Sequence, residues 1–429
     1  MASAPETLTT EAVFKDQYVD NPQMDQVPMG LWFMSEIPFD KANRQGGSYK
    51  YPAILRMPQG ATYNGVVGVV GTAFAMNDAI PGQTLQASVT GSEYLLREQT
   101  SYGLLSRGSS GEKAAFEPGM DLLVRMVVAK AAFDLEVNCL YGGTSLGAIS
   151  VIGALVGVVA SLTISTATWA VGLWAAREGG QLDAYSPNLV TKRNTNGAIT
   201  AGVVNFTTHV ISMTFAAGAD HAALVVGDVL VPLGANGNWF DGVDAIITNS
   251  NTGTATVLGI PTATYGLWRA NVYDAAFGPL TFNILASAAA QAANKGGMET
   301  ELTALVSVWA WTDINNNQAA LRVYDQSYTG AKFENGATEL VYHGPNGKIT
   351  IKPHACVKSS EAFLLDKPML RRIGSTEPTF KIDGSNNQFL TQLPNNAGLE
   401  FRRYADMAIA SFRLCTHTKI INIVNTTTP

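Results

Sequence analysis

The stretch FEPGMDLLVRMVVAKAAFDLEVNCLYGG, Phe116 to Gly143, carries the strongest helical pattern in this chain of 429 residues. Pro118 and Asp121 are typical of a helix start, and the glycine pair at its end is typical of a helix stop. Apolar residues recur at helical spacing and predict one buried face, made of Leu122, Met126, Ala129, Phe133, Val137 and Leu140. From Asp121 to Tyr141 we expect one helix, roughly 31 Å long at about 1.5 Å per residue.

A run without any charge begins inside this helix, at Val137, and lasts until Ala176. Its part from Leu146 to Ala176 exceeds the roughly 20 apolar residues that cross a bilayer, so one hypothesis is an integral membrane protein spanning 146–176. However, the run contains several Ser and Thr residues, and no Lys/Arg cluster flanks it, unlike a typical span. We therefore predict a glycine-rich loop and a strand, then a helix TATWAVGLWAA, all buried within a folded domain.

The overall composition points to a surface that other chains cover. Charged residues make up 14% of the chain, where about 25% is usual. A net charge of -6 excludes the strongly basic class of nucleic-acid-binding proteins. Cys139, Cys356 and Cys415 are too far apart for a disulfide framework or a zinc site, which indicates reduced thiols. The first residues lack the basic and apolar regions of a secretory signal.

Five further regions are indicated along the chain. Residues 1–45 show no clear period and predict an arm, whereas 46–108 combine β-branched and aromatic residues with Gly and Pro, as in the long strands of an extended hairpin. Residues 181–260 are rich in short strand patterns. The segment LASAAAQAANKGG predicts a helix ending at Gly296, and two strands flank a turn at Gly344 to Gly347.

One motif suggests an enzyme. Gly143-Thr144-Ser145-Leu146-Gly147 matches G-x-S-x-G, in which a nucleophilic serine sits on a tight turn between a strand and a helix. All five histidines lie downstream of it, namely His209, His221, His343, His354 and His417. A serine hydrolase using Ser145 is therefore an alternative hypothesis. Because the element before Ser145 is a helix pattern instead of a strand, we favour a simple glycine-rich loop.

Other chemistry-bearing patterns are weak, and we predict no catalytic, cofactor-binding or metal site. The segment that ends in Gly347-Lys348 lacks the glycine spacing of a phosphate-binding loop. No histidine has a partner at metal-ligand spacing. Three basic pairs are scattered and too small for a phosphate-backbone site: Lys192-Arg193, Arg371-Arg372 and Arg402-Arg403.

In the order of its predicted elements and in the composition of its segments, the chain resembles the major capsid protein of tailed bacteriophages, which has the HK-ninety-seven-type fold. The long helix carries this resemblance together with three later segments: TATWAVGLWAAREGGQLDAY (166–185), YGLWRANVYDAAFGPLT (265–281) and ELVYHGPNGKITIKPH (339–354). The resemblance covers most of the chain and rests on no single diagnostic motif. It implies an α+β fold with an N-terminal arm, an extended β-hairpin loop, a spine helix in a peripheral domain, and a mixed axial domain.

The resemblance also implies domain bounds. Residues 1–45 would be the arm and 46–108 the extended loop. Residues 109–142 and about 301–355 would form the peripheral domain. Residues from about 143 to 300, with 356–429, would form the axial domain, with a β-rich insertion near 181–260. The uncharged run would then be buried in the axial domain, without lipid.

The function that the resemblance implies is structural. Pentamers and hexamers of the chain would form the icosahedral shell of a virion around double-stranded DNA, assembled in the host bacterial cytoplasm and without a membrane. Partners would be a scaffolding protein, a portal and in some cases a decoration protein, with non-specific contact to DNA. The scaffolding protein would be a separate chain, because only about 45 residues precede the loop. Some family members cross-link subunits through a lysine; Lys50 lies in the loop, but no motif marks a partner, so no cross-link is predicted.

Overall fold

The computed structural model describes residues 31–42, 48–63, 76–103, 119–250, 252, 255–296, 301–319, 340–345, 347–380, 389–393 and 397–426. Its fold is α+β, as predicted from the sequence. Seven α-helices lie in these ranges: α1 Phe33–Glu36, α2 Gly119–Tyr141, α3 Val171–Trp174, α4 Gly218–Ala222, α5 Val243–Ile246, α6 Phe282–Asn294 and α7 Val308–Ala319. The predicted arm falls mostly on residues 1–30, outside the described part.

Twenty-one strands lie in the same ranges. The first nine are β1 Phe39–Lys41, β2 Ser48–Arg56, β3 Gln83–Thr90, β4 Ser92–Ser101, β5 Gly147–Ile152, β6 Val159–Ile164, β7 Gln181–Tyr185, β8 Ile199–Asn205 and β9 Val210–Thr214. The next six are β10 Val229–Pro232, β11 Thr256–Val257, β12 Ile260–Pro261, β13 Asn271–Asp274, β14 Leu302–Val306 and β15 Leu340–Gly344. The last six are β16 Gly347–Pro353, β17 Ala362–Leu365, β18 Leu370–Thr379, β19 Thr391–Gln392, β20 Gly398–Ser411 and β21 Thr418–Ile421.

The long helix α2 ends at Tyr141, where the sequence predicts it, and Gly143 then takes a left-handed conformation with φ of 73°. The predicted buried face is wrong in the first half of α2. Met126 is 55% exposed, and Leu123 and Val127 are buried instead, against Phe401. In its second half the helix is buried on nearly all sides, so no single stripe of apolar residues marks the side facing the core.

Helix α2 packs on a sheet that we call the spine sheet, in which β20 lies between β4 on one side and β18 and β19 on the other. Strand β1 extends this sheet through parallel pairing with β18. Strand β4 pairs with β20 along its whole length, from Ser92 opposite Met407 to Ser101 opposite Gly398. Within 46–108, the described residues form a hairpin in β2 and β3, whereas β4 belongs to the spine sheet.

After α2, six antiparallel strands close into a small barrel in the order β10-β5-β6-β9-β8-β7. The stretch 146–176 thus forms two barrel strands, a 3-10 turn at Thr166–Thr168 and the short helix α3, not one continuous helix. The predicted helix TATWAVGLWAA shortens to one turn because Gly172 packs onto the backbone of Ala355, whose carbonyl accepts the Gly172 N–H at 3.0 Å. The β-rich region begins at 147, earlier than the sequence suggests.

A second sheet, which we call the mixed sheet, has the order β13-β21-β17-β14-β16-β15. Helix α6 packs against β13, β15 and β21, and α7 packs against β16, which encloses a second core. The helix predicted in LASAAAQAANKGG and the hairpin predicted around Gly344–Gly347 are both present. In this sheet β14 pairs with both β16 and β17, and β21 joins β17 to β13.

No helix in the described ranges combines the length and the apolar character that crossing a bilayer requires.

Candidate functional site

The hairpin of β2 and β3 is joined to the rest of the molecule by polar contacts. The Tyr49 hydroxyl donates to the Asp406 carboxylate at 3.0 Å, and the Tyr51 hydroxyl donates to the Ser411 carbonyl at 2.8 Å. From the other strand, the Ser88 N–H donates to the Leu258 carbonyl at 2.8 Å. These bonds join the hairpin to β20 of the spine sheet and to the turn between β11 and β12.

The hairpin packs on the main core through Ala53, Ala87 and Val89, but several large apolar side chains of β2 and of the segments between β2 and β3 are exposed. The exposed set is Ile54, Met57, Tyr63, Met76 and Ile80. An isolated two-stranded hairpin is at best marginally stable in water, so the outer part of this hairpin has little stability of its own. Where exposed apolar side chains form one patch, the surface is typical of one that another chain covers.

The segment just before the hairpin docks on α2 through one buried carboxylate. Glu136, 1% exposed, accepts the Phe33 N–H at 2.8 Å and the Met34 N–H at 2.7 Å. It also accepts from Nε2 of His354 at 2.9 Å. Because Nδ1 of His354 accepts the Cys356 N–H, the ring proton lies on Nε2 and points at the carboxylate. Three donors from two distant parts of the chain thus converge on one side chain.

A second charged contact holds the same segment. The Glu36 carboxylate bridges Lys352 at 2.8 Å and Lys367 at 2.6 Å. Burial on its own raises the pKa of Glu36, but the two lysines outweigh it and keep that pKa below its ordinary value. Lys352 also lies 4.6 Å above the ring of Trp32. The segment 32–37 is therefore fixed to α2 and to the mixed sheet at once.

Ser145 does not have the setting of a hydrolase nucleophile. It lies in the bend between helix α2 and strand β5, the reverse of the strand-to-helix turn that such a serine needs. Four of the five histidines are engaged elsewhere. His354 bonds Glu136, His417 bonds Ser411, His221 bonds the Gly153 carbonyl, and His209 stacks on Trp169 at 4.5 Å.

A serine and a histidine that the sequence analysis did not link do meet in the interior. The Ser411 hydroxyl lies 2.8 Å from Nε2 of His417. The Asp366 N–H donates to Nδ1 of His417, so Nε2 carries the proton and donates to Ser411. Burial lowers the pKa of His417 to about 3. A histidine that donates to the serine cannot take its proton, and both side chains are completely buried. This pair is structural.

The three basic pairs are engaged within the subunit. Lys192 pairs with Asp183, Arg193 with Asp228, Arg371 with Asp40, Arg372 with Glu377 and Arg402 with Glu400, while Arg403 lies over the ring of Phe380. These charges tie elements of the subunit together and are not grouped into one basic surface.

The structure also places the three cysteines and the segment at Gly347-Lys348. All three cysteines are buried free thiols, and burial raises the pKa of the Cys139 and Cys356 thiols. Gly347 and Lys348 begin β16, after a hairpin turn and not before a helix. No group of three or more His, Cys, Asp or Glu side chains suited to a metal ion occurs among the residues described.

Sequence reasoning missed the buried charged groups, Glu136 above all. The one available signal was its place in a helix half that is otherwise apolar, between Leu135 and Val137. A second missed group is Lys419, which lies between the carboxylates of Asp244 and Glu361, the latter at 2.9 Å. Their sequence separations, 175 and 58 residues, leave no local pattern that could link them.

Comparison with solved structures identifies the fold. The chain is similar to a chain of the cyanophage A-1(L) capsid asymmetric unit, with a TM-score of 0.55 and 11% sequence identity over 98% of this chain and 100% of that one. A capsid chain of cyanophage P-SCSP1u gives a TM-score of 0.44 at 9% identity, covering 96% of this chain and 94% of that one. A chain of Mycobacterium phage Bobi gives 0.43 at 7% identity, covering 96% and 98%.

No protein-family model and no curated protein matches the sequence. The full-length likeness to the A-1(L) capsid chain therefore carries the conclusion. The chain has the fold of a phage capsid protein, which confirms at the level of fold the resemblance inferred from its sequence.

Proposed function

We propose that this chain is the structural subunit of a phage head, forming the pentamers and hexamers of an icosahedral shell around double-stranded DNA. One observation carries the proposal: the fold matches a capsid chain of cyanophage A-1(L) over the full length of both chains. The low charge content of 14% supports it, because a subunit enclosed by its own copies needs less charged surface.

The hairpin supports a role in contacting neighbouring copies. Its base is bonded to the spine sheet and to Leu258, while Ile54, Met57 and Met76 near its far part are exposed. In the proposed shell this hairpin reaches over the next subunit, which covers these apolar side chains. Lys50 lies on β2, and no cross-link is assigned to it.

We propose the following division into domains, redrawn on the strand pairings. Helix α2, β4 and 370–411 form the peripheral domain around the spine sheet. The mixed sheet with α6 and α7 forms the axial domain, to which 302–353 and 418–421 belong. The barrel, residues 147–232, is the β-rich insertion between them. Residues 48–90 supply the extended loop.

The remaining partners follow from the shell function. We expect a separate scaffolding protein, a portal and in some cases a decoration protein, with assembly in the host bacterial cytoplasm and the mature subunit in the virion. The net charge of -6 suits a shell that encloses DNA without gripping it. Contact with the packaged DNA is then weak and independent of sequence.

Assembly of the purified chain tests the proposal. The full chain is expressed alone and together with its genomic neighbours, and its size is followed by light scattering and negative-stain microscopy. We expect closed shells, tubes, or discrete pentamers and hexamers. A chain that stays monomeric under every condition would contradict the shell function.

The role that we propose is not enzymatic, and Ser145→Ala tests this point. Because Ser145 follows a helix and has no suitably oriented histidine among the contacts described, wild type and variant should show the same background rate on a short-chain nitrophenyl ester. A rate well above background that the variant abolishes would revive the hydrolase hypothesis. Unchanged assembly of the variant serves as the control for folding.

A further inference from the structure

The connection between β5 and β6 in the barrel consists only of apolar residues. It reads Gly153-Ala154-Leu155-Val156-Gly157-Val158, followed by Val159 at the start of β6. Val156 and Val159 exchange backbone hydrogen bonds of 2.8 and 3.1 Å, so the turn is tight, with Gly157 at φ of 66°. Val156 is 78% exposed. Hairpin connections on a protein surface are normally built from polar turn residues, so this one is unusual.

A second exposed valine pair, Val225 and Val226, lies beside strand β5. The Gly227 N–H donates to the Ile149 carbonyl at 2.8 Å, which places Val225 and Val226 next to β5. The chain that leads to Val225 also contacts the turn, since the Phe215 N–H donates to the Val158 carbonyl at 2.8 Å and Nε2 of His221 lies 2.9 Å from the Gly153 carbonyl. We define the valine patch as Val151, Val156, Val158, Val159, Val225 and Val226, all of them exposed.

The valine patch is large and electrically neutral. Its six side chains expose on the order of 500 Å² of apolar surface, as much as the largest apolar patch of a typical monomer. One partner in a standard interface contributes about 800 Å². The carboxylates nearby are buried and engaged, since Asp228 pairs with Arg193 and Asp220 accepts from Asn196. A neutral apolar surface can face an identical surface without repulsion, which a charged one cannot.

We propose that the valine patch is a contact between subunits, in which the patch of one copy meets the same patch of a neighbouring copy across a symmetry axis of the assembly. This inference rests on the proposed shell function and names one of its contact surfaces. A membrane is a less suitable partner, because segments that lie in the membrane interface carry Lys, Arg and large aromatic residues. Residues 147–164 contain none of these.

Charge placed on the patch tests the proposal. The double variant V156D/V158D puts two carboxylates from each copy into the contact, so the assembled fraction should fall roughly tenfold or more. Val203→Asp is the matched control, because Val203 is 75% exposed on β8 of the same barrel and lies outside the patch. Circular dichroism and denaturation of each unassembled subunit check that the variants fold.

The outcomes separate this inference from the proposed function. If wild type and V203D assemble and the double variant does not, while all three fold, the contact is supported. If all three assemble equally, the contact is overturned and the shell function stands. If wild type never assembles, both proposals fail. Binding of the wild-type subunit to vesicles of neutral phospholipid, lost in the double variant, would also overturn the contact by giving the patch another partner.

A cross-linking test remains informative if the double variant does not fold. Val156→Cys keeps a small side chain at the tip of the turn, and the three native cysteines are buried. Mild oxidation of assembled particles should give a disulfide-linked dimer for V156C and none for the control V203C. Assembled V156C particles that form no dimer above the control would overturn the contact.

Discussion

Replacing Glu136 with alanine is expected to lower the free energy of unfolding by about 3–5 kcal/mol, because buried donors are left without an acceptor. The carboxylate receives the backbone N–H groups of Phe33 and Met34 and the Nε2–H of His354, all within 2.9 Å. Phe33 and Ile37, which have no exposed surface, depend on this docking. Chemical denaturation of the subunit, under conditions that keep it unassembled, measures the loss.

A graded series isolates the cause of this loss. Glu136→Gln keeps one acceptor oxygen but turns an amide NH₂ toward another donor, so we expect an intermediate loss. Glu377→Ala removes an exposed carboxylate, 55% accessible and paired with Arg372, and should change stability by less than about 1 kcal/mol. Limited proteolysis within 31–42 should accelerate in Glu136→Ala only. A loss as small as that of the control would show that the docking of 32–37 does not depend on Glu136.

The second large effect is expected at Lys419, in the mixed sheet. Its ammonium group lies between the carboxylates of Asp244 and Glu361, and the side chains of Lys419, Asp244 and Glu361 are 14%, 8% and 15% exposed. Lys419→Met keeps most of the side-chain length but leaves two nearly buried carboxylates facing each other. We expect a loss of about 3–5 kcal/mol at neutral pH.

The pH dependence of this loss has a definite sign. Burial alone raises the pKa of Asp244, but Lys419 and then Lys358 outweigh it and hold that pKa below its ordinary value. A depressed carboxyl pKa stabilises the fold above the unfolded pKa, near 3.9, and this contribution is lost as the pH falls through the folded pKa. In Lys419→Met the Asp244 carboxyl group loses its main cationic partner, so its pKa rises. The difference from wild type should therefore be largest at neutral pH and shrink below about pH 4.

Lys348→Met is the matched control for Lys419→Met. Lys348 is exposed on β16, in the same mixed sheet, so the same substitution there should change stability by less than about 0.5 kcal/mol at any pH. Denaturation of both variants at neutral and acidic pH provides the comparison. A loss in Lys419→Met that stays constant with pH would indicate lost packing instead of uncompensated charge.

Local patterns in the sequence predicted the local elements well. The end of α2 at Tyr141, the helix α6 and the hairpin of β15 and β16 each depend on residues within a few positions, such as the glycines at 142, 296 and 347. The buried face of α2 was predicted less well, since Met126 is exposed and Leu123 is buried. A helix surrounded on most sides in its second half needs no strict apolar stripe, so its periodicity is a weak guide to orientation.

The non-local strand pairings could not be predicted from the sequence, and the reason is physical. The register of β4 on β20 joins residues some 300 positions apart, and the mixed sheet joins β13 to β21 across more than 140. A strand pattern states that a segment can pair but not with which partner, because the backbone hydrogen bonds are the same for every partner. The buried contacts of Glu136 and Lys419 depend on those pairings, so they could not be predicted without them.

By itself, the sequence determined where the long helix α2 ends, where the chain carries no charge, and that its composition is poor in charge. Its order of elements also indicated the capsid fold. The tertiary structure alone decided that the uncharged run closes a barrel, with Ile149 and Leu162 in its core and Val156 facing outward. The reason is that apolar side chains of equal hydrophobicity are separated into core and surface only by the closure of the strands around them.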